Sequence, residues 1–418
     1  MKKKLRILLV WAIVSLVLQF GVYAILDEKI AKVMAPPAQP QQPITRTLEA
    51  TLPDTNIDNV QISYDKFYLA YKANGVFKVF NLKQNRVVFT KEPLPGSDKG
   101  MGVLNYQWLP DRDTLVYFFA KKNPNPWVTV IVEPSQSSSP LLEAGGTKSE
   151  DAQASAEHKG ESSVPAKPVE PKIERRPSNP QITELYALEF PDPEETTPPD
   201  DRHNIDIEKF PAGGQIQQIV ASTFTNLMYL TVQSGSGIEL MEVDVMKNTR
   251  TLQRPGETIS NMAASDRFGT LYVETKTGST REIQALDGWQ RSIVTKTPNM
   301  HILGDRAGKL YLAQVENDRL VKVLAGADLS QGHQNMALTT VWQGSIPYKG
   351  EHVVIGAQGE VIIYDRYVAY VIRGGDVKQV ELKGEHSYIS SDGAELIYLN
   401  SLGKTTQVKL EPLQAVSS

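Results

Sequence analysis

A short pattern recurs along this chain and limits what the chain can fold into. An apolar run meets an aspartate, and a few turn-forming residues then lead into a run rich in Leu, Tyr and Val. Aspartate accepts hydrogen bonds from the backbone amides that follow it and tolerates turn conformations, so each copy predicts a hairpin corner. We expect these aspartates to be structural rather than catalytic: Asp65, Asp111, Asp266, Asp305, Asp365 and Asp392. A degenerate copy has Ser222 or Thr223 at this position.

The residues after the corner also repeat. GVFKVFNLKQNRVVF at 75–89 is similar to GIELMEVDVMKNTRTL at 237–252, and each contains two alternating strands joined by a turn with Lys and Asn. A unit of four strands that returns about every 40–45 residues indicates a propeller blade. The predicted fold is therefore an all-β propeller over residues 44–412 with seven blades, or six, because the units between Asp305 and Asp392 are unevenly spaced.

The last unit lacks a fourth strand. The isolated run ITRTLEATL at 44–52 precedes the first unit and could supply that strand, which would close the ring and protect a sheet edge. The alternative is a set of unrelated hairpins in a β-sandwich. No helical period is found beyond the N-terminal segment, which argues against an α/β enzyme fold.

The stretch WLPDRDTLVYFFA at 108–120 resembles the repeat of TolB-like and WD40-like extracytoplasmic propellers. It is also similar to the propeller of dipeptidyl peptidase IV-type proteins, and LYALEF at 185–190 resembles the third strand of such a blade. The family's Ser and Gly are replaced here by Leu109 and Arg112. The sequence has no G-x-S-x-G elbow, so the resemblance does not imply peptidase activity.

The N-terminal residues predict an export signal. Residues 7–26 contain no charge and are long enough to cross a bilayer as a helix, and the preceding tail 1–6 is basic. By the positive-inside rule the tail is cytoplasmic and the propeller is extracytoplasmic on a single-pass anchor. Cleavage of a signal peptide after Ala24 is the alternative and would release a secreted protein. Residues 27–43 are proline-rich and predict a stiff spacer.

Residues 133–180 interrupt the second blade. They contain no aromatic residue and are rich in Pro, Ser and charge, which predicts a disordered insertion. WVTVIV at 127–132 is expected to prolong the second strand of that blade, and residues 413–418 to form a tail. The insertion is either passive or an arm that folds on a partner.

No catalytic, cofactor-binding or metal-ligating set emerges from the sequence. The chain has no cysteine, its six histidines form no H-x-x-x-H pair, and the acidic loop 191–201 lacks calcium-loop spacing. The formal net charge of −4 disfavours nucleic acid as a partner. Trp108, Trp127, Trp289 and Trp342 are expected in the core, and the alternative is a ring of exposed aromatics that binds glycans or peptides.

These features predict a membrane-anchored, non-enzymatic propeller that binds an envelope protein or another ligand in a bacterium. One alternative is a glycan-cleaving or hydrolytic envelope enzyme, which requires acids or metal ligands that converge at the channel. The other is a sensor or regulatory subunit of a membrane complex. The sequence does not identify the ligand.

Overall fold

The computed structural model describes residues 47–98, 100–132, 172–222, 224–235, 237–244, 248–329, 336–349 and 352–413. Regular structure in this part of the chain is entirely β-strand. Residues 123–180 form one compact unit and the remainder of the chain forms another. The predicted tail, anchor and spacer (1–6, 7–26 and 27–43) lie outside the described residues. Within the described residues, no helix is long and apolar enough to cross a bilayer.

The larger unit begins with β1 (Leu48–Leu52), which precedes the blades. Blade 1 contains β2 (Ile57–Ile62), β3 (Tyr68–Ala73), β4 (Val76–Asn81) and β5 (Arg86–Lys91). Blade 2 begins with β6 (Gly102–Trp108) and β7 (Thr114–Lys122). The smaller unit then contributes β8 (Trp127–Val132) and β9 (Lys172–Pro177), after which β10 (Gln181–Glu189) and β11 (Asp200–Asp206) complete blade 2.

The later blades follow without a described insertion. Blade 3 contains β12 (Gln215–Ser222), β13 (Leu227–Ser234), β14 (Gly237–Val243) and β15 (Thr249–Thr251). Blade 4 contains β16 (Glu257–Ala264), β17 (Leu271–Thr277), β18 (Thr280–Asp287) and β19 (Gln290–Thr295). Blade 5 contains β20 (Met300–Arg306), β21 (Lys309–Glu316), β22 (Arg319–Ala327) and β23 (Leu338–Pro347).

Blade 6 contains β24 (Val353–Ile355), β25 (Val361–Tyr364), β26 (Val368–Arg373) and β27 (Asp376–Glu381). The last blade contains β28 (His386–Ile389), β29 (Glu395–Leu402) and β30 (Thr405–Pro412), and β1 is its fourth strand. The described residues thus form seven antiparallel four-stranded sheets, which confirms the seven-bladed propeller and not the six-bladed alternative.

Each blade packs on both neighbours through its two faces. Alternate side chains of a strand point to opposite faces, and β3 illustrates the result. Tyr68 and Ala70 enter the hydrophobic core shared with blade 2, whereas Leu69 and Tyr71 enter the core shared with blade 7. Seven such cores fill the junctions around the ring. A large apolar side chain contributes about 1.5–3 kcal/mol on full burial, so the junctions hold the blades together.

The ring closes through the first described strand. β1 pairs antiparallel with β30, from Leu48 opposite Leu410 to Leu52 opposite Thr406, as predicted for part of 44–52. The fully buried Leu52 packs in the core shared by blades 7 and 1. The Thr406 hydroxyl donates a hydrogen bond of 2.8 Å to the carbonyl oxygen of Asp54.

The second blade departs from two predictions. β7 ends at Lys122, and β8 does not prolong it but pairs with β9 in a separate two-stranded sheet. β9 lies inside 133–180, so its residues are not disordered as predicted. The sequence of β9, KIERRP, is mostly polar, but its residues pair in register with those of β8. Residues 133–171 lie outside the described residues.

Candidate functional site

The first strands of blades 1 to 6 lie next to the axis of the propeller, where neighbouring first strands contact each other from blade 1 to blade 6. Since neighbouring strands are antiparallel, the start of each first strand lies on the same side as the hairpin between second and third strands. We call this side the entry face. The opposite side carries the corners between first and second strands, and we call it the corner face.

Side-chain amides link the first strands around part of the axis. Each amide nitrogen donates to a backbone carbonyl oxygen of the next blade's first strand: Gln61 to Tyr106 (3.0 Å), Asn105 to Ile216 (3.2 Å), Gln218 to Met262 (3.3 Å) and Asn261 to Ile302 (2.8 Å). The pairing register shifts at every donor, as at a β-bulge. A bulge changes the direction of one side chain, which explains how these amides reach the next blade.

The series ends at blade 5. The register shift there falls between Ile302 and Gly304. A Cβ atom at Gly304 would lie 2.9 Å from the side chain of Ile355 in blade 6, so no longer side chain fits. The sequence signal for this feature is an Asn or Gln in a first strand, and it was not singled out from the sequence.

A large cavity opens on the entry face beside blades 3, 4 and 5. Its volume is about 1190 Å³, and its lining consists mainly of amide, hydroxyl and charged side chains. Tyr348 is the only aromatic residue of the lining within the described part of the chain. The cavity therefore offers both hydrogen-bond donors and hydrogen-bond acceptors to a ligand.

A glutamate–histidine pair lies in the wall of this cavity. Glu274 of β17 accepts a hydrogen bond from the Ile302 amide at Oε2 (3.1 Å) and lies 2.9 Å from Nδ1 of His301 at Oε1. The Ser260 hydroxyl also donates to Glu274 Oε1, at 3.2 Å. When Nδ1 carries the proton, Nε2 of His301 is left as an acceptor for a ligand. Burial, with the charge of Glu274, raises the pKa of the neighbouring Tyr348 to about 12.

Two exposed cations stand opposite each other at the rim. Lys276 of β17 pairs directly with Arg281 of β18, and both line the cavity. Neither forms an ion pair within the described ranges. Like charges at directly opposed positions destabilise a sheet, so this arrangement is unfavourable without a compensating anion. Lys349 adds a third cation to the lining, while Glu282 and Asp318 supply anions.

A second cavity of about 380 Å³ lies along the axis between blades 1, 2, 3 and 7. It shares Gln217 and Gln218 with the larger cavity, so the two adjoin. Two atoms of residues in its lining, Nε1 of Trp108 and Oε1 of Gln107, are buried without a hydrogen-bond partner among the described residues. A buried donor and acceptor of this kind favour water or a polar ligand in the channel.

The predicted corner aspartates lie mainly on the corner face, away from the large cavity. Asp65, Asp111, Asp266 and Asp392 fall between first and second strands, and Asp305 lies in β20 next to its corner. Asp365 does not belong to this set, because it lies between β25 and β26, the second and third strands of blade 6. The corresponding corner of blade 6 is formed by 356–360, which contains no Asp.

The corner aspartates differ in their contacts. Asp65 accepts the amide hydrogen of Phe67 at 2.9 Å, and Asp365 accepts that of Tyr367 at 2.7 Å, as expected for turn-forming aspartates. Asp111 forms an ion pair of 2.7 Å with Arg112. Asp392 forms one of the same length with Lys66.

The predicted positions of the tryptophans are only partly correct. Trp108 and Trp342 are buried, but Trp127 and Trp289 are exposed by 50% and 77%. Trp289 is stacked beneath the Arg250 guanidinium, whose carbon lies 4.9 Å from the ring centroid. Such a cation–π contact lets an aromatic ring remain at the surface.

Strand pairing and the packed ring define the class of protein: a seven-bladed β-propeller. No protein-family model and no curated protein matches the chain. Among solved structures it is similar to an oligogalacturonate lyase in complex with manganese, with a TM-score of 0.48 and 9% identity over 88% of this chain and 91% of that chain.

It is also similar to the Swd1 β-propeller domain of Myceliophteria thermophila, with a TM-score of 0.44 and 11% identity over 86% of this chain and 99% of that chain. TolB from Acinetobacter baumannii has a TM-score of 0.34 and 8% identity over 87% of this chain and 80% of that chain. WD40-like and TolB propellers are thus among the similar structures, as the sequence resemblance implied. At these identities the likeness concerns the fold alone.

Proposed function

We propose that this protein is a non-enzymatic binding module, held outside the cytoplasmic membrane of a bacterium by residues 7–26. The polar cavity on its entry face binds a segment of an envelope partner protein. The observation that carries this proposal is the size of the cavity together with the polarity of its lining.

Small-molecule pockets commonly have volumes of about 300–1,000 Å³ and are lined mainly by apolar and aromatic side chains. The cavity here is larger, at about 1190 Å³, and has a single aromatic residue among its described lining residues. A polypeptide segment fits such a surface better than a compact metabolite does, because its backbone both donates and accepts hydrogen bonds.

The opposed Lys276 and Arg281 indicate what the segment carries. A carboxylate placed between them would relieve their mutual repulsion and bind through charge-assisted hydrogen bonds. We therefore propose a partner segment with at least one acidic side chain.

Proximity labelling in intact cells tests the binding proposal. The full chain carries a labelling enzyme, and the test variant is Lys276→Glu/Arg281→Glu. The control is Lys404→Glu, which changes an exposed residue of the β29–β30 hairpin on the same face but outside the cavity lining. We expect a defined set of envelope proteins with the wild type and the control, and its loss with the double variant. Equal labelling by all three proteins would contradict the proposal.

The absence of native cysteine permits a direct test of the location. Lys404→Cys should react with a membrane-impermeant maleimide in intact spheroplasts, whereas Lys3→Cys should react only after the membrane is permeabilised. Labelling in the reverse order would refute the proposed orientation. A mature protein that lacks the cysteine at position 3 would show that the signal is cleaved.

The Glu274–His301 pair favours a second candidate, a hydrolytic enzyme in which His301 acts as general base. Ser260 is not the nucleophile of a triad in the described geometry, because its hydroxyl donates to Glu274. Glycan and ester substrates would be screened with the wild type and with His301→Gln. Turnover that His301→Gln abolishes would establish an enzyme and displace the binding proposal.

A further inference from the structure

Three aspartates come together on the corner face where blades 4 and 5 meet. Asp266 lies at the corner of blade 4, Asp305 in β20 of blade 5, and Asp328 directly after β22. One carboxylate oxygen from each lies within 4.8 Å of the other two. This cluster is separate from the cavity described above, whose lining contains none of the three.

Backbone and hydroxyl donors hold these carboxylates in place. Asp266 accepts amide hydrogens from Ala307 (2.7 Å) and Gly308 (2.9 Å), one at each oxygen. Asp328 accepts hydroxyl hydrogens from Ser265 (2.6 Å) and Tyr272 (2.9 Å), again one at each oxygen. The cluster is therefore pre-organised by residues of two blades.

Asp305 is held differently. Its Oδ1 accepts the amide hydrogen of Asp266 at 3.2 Å, but its buried Oδ2 receives no hydrogen bond from an N–H or hydroxyl group of the described residues. A buried carboxylate oxygen without a donor carries a large desolvation cost unless a proton or a cation satisfies it.

No positive charge compensates the three acids within the residues that the structure describes. In the described part of the chain no Lys, Arg or His forms an ion pair with Asp266, Asp305 or Asp328. Arg267 lies against Gly308, yet it makes no ion pair with them. The corresponding junction of blades 1 and 2 differs: Asp65 donates its amide hydrogen to Asp113 in the same manner, and Lys66 supplies a cation nearby.

We propose that Asp266, Asp305 and Asp328 bind a calcium ion that joins blades 4 and 5. Calcium takes oxygen ligands at about 2.3–2.6 Å, so two ligands of one ion lie at most about 5 Å apart, which the observed spacing satisfies. Magnesium demands near-ideal octahedral geometry at about 2.0–2.1 Å and gives up its waters reluctantly, so three carboxylates fixed by the protein favour calcium. Water or the Ser265 hydroxyl completes the coordination.

The competing explanation is a proton on Asp305. Burial, a hydrogen bond with the Asp328 carboxylate, and the negative charges of Asp328 and Asp266 raise the pKa of Asp305 well above its usual value. Calcium must displace this proton, so binding should strengthen as the pH rises. A site that merely holds a proton would show no ion binding at any pH.

Terbium luminescence tests the site directly in the full chain. Tb³⁺ replaces Ca²⁺ at oxygen sites, and Tyr272, whose hydroxyl contacts Asp328, is the expected sensitiser on excitation at a tyrosine wavelength. Wild type, Asp305→Asn and Asp365→Asn are titrated with Tb³⁺ and then with competing Ca²⁺. Asp365→Asn is the control, because it removes a corner-like aspartate outside the cluster.

We expect saturable luminescence that Ca²⁺ displaces in the wild type and the control, and at least about a tenfold loss of affinity in Asp305→Asn, because one of three anionic ligands is lost. A second readout is the melting temperature of the wild type in calcium and in chelator, which does not depend on the folding of a variant. No saturable signal and no calcium-dependent melting would overturn the proposal, as would equal affinity in a folded Asp305→Asn.

Discussion

Lys66 joins the first blade to the last, and its replacement by methionine gives the sharpest test of how the ring is closed. Its Nζ lies 2.7 Å from Asp392 Oδ2 and 3.3 Å from Glu395 Oε2. The side chains of Lys66 and Glu395 are exposed by only 7% and 0%, and that of Asp392 by 21%. Methionine keeps the length of the side chain and the backbone preference, so the variant removes mainly the charge.

Removal of one partner of a buried ion pair costs about 3–5 kcal/mol, because the remaining charge is left without compensation. We expect a value near 3 kcal/mol for Lys66→Met at neutral pH. Asp392 is partly exposed and still accepts hydrogen bonds from Ser390 (2.6 Å) and Ala394 (3.3 Å), which limits the loss. The assay is urea unfolding of the full chain, followed by fluorescence.

The pH dependence supplies an independent check. Burial acts to raise the pKa of Asp392, but the Lys66 charge and the hydrogen bonds outweigh it and hold the pKa below its usual value. A lowered carboxyl pKa contributes stability that is present at neutral pH and is lost as the pH falls through the folded-state pKa. The difference between wild type and Lys66→Met should therefore shrink on acidification.

A double-mutant cycle with Glu395→Gln separates the charge interaction from packing. The double variant should be less destabilised than the sum of the single variants, because the glutamine no longer leaves a buried charge. A loss below about 1 kcal/mol for Lys66→Met at neutral pH would match an exposed ion pair and refute the reasoning.

Three further substitutions probe the ring. Leu52→Ala should destabilise the protein by about 2–5 kcal/mol in denaturant melts, and the exposed Thr51→Ala should not. Gly269→Ala combines a φ of 57° with a clash against a threonine methyl, so it should lower the melting temperature more than Gly403→Ala, where φ is 70° but the space is open. Asn261→Leu removes its 2.8 Å bond to the next blade and should speed amide exchange in the first strands of blades 4 and 5.

Much of the ring could be predicted from local patterns, because each strand is short and alternating and each corner carries turn residues. Asp365 shows where this fails. IYDRYVAYVI has the same apolar–Asp–apolar pattern as the corners between first and second strands. Its strands are instead the second and third of blade 6. A local turn pattern does not indicate whether the turn joins the first and second strands of a blade or the second and third. This explains the uneven spacing that had left six blades open.

Pairings between segments that are distant in the sequence could not be predicted either. The strand β9 has a polar, proline-containing sequence, and only its register with β8 makes it a strand. In the candidate site, Glu274 and His301 belong to different blades, and the bulges in the first strands aim Asn261 and Gln218 at their neighbours. Contacts of this kind depend on the closed ring, so no short sequence window predicts them.

Pairing of β1 with β30 has a consequence for how the protein is made. The contact between Asp54 and Thr406 spans 352 residues. The ribosome synthesises β1 early, but β1 cannot pair until β30 has been synthesised. Until then the blades can form one by one from local hairpins, but the ring stays open with two unpaired edges. Such edges invite pairing with other chains. We expect newly made chains to depend on a holding chaperone until the final blade has been synthesised.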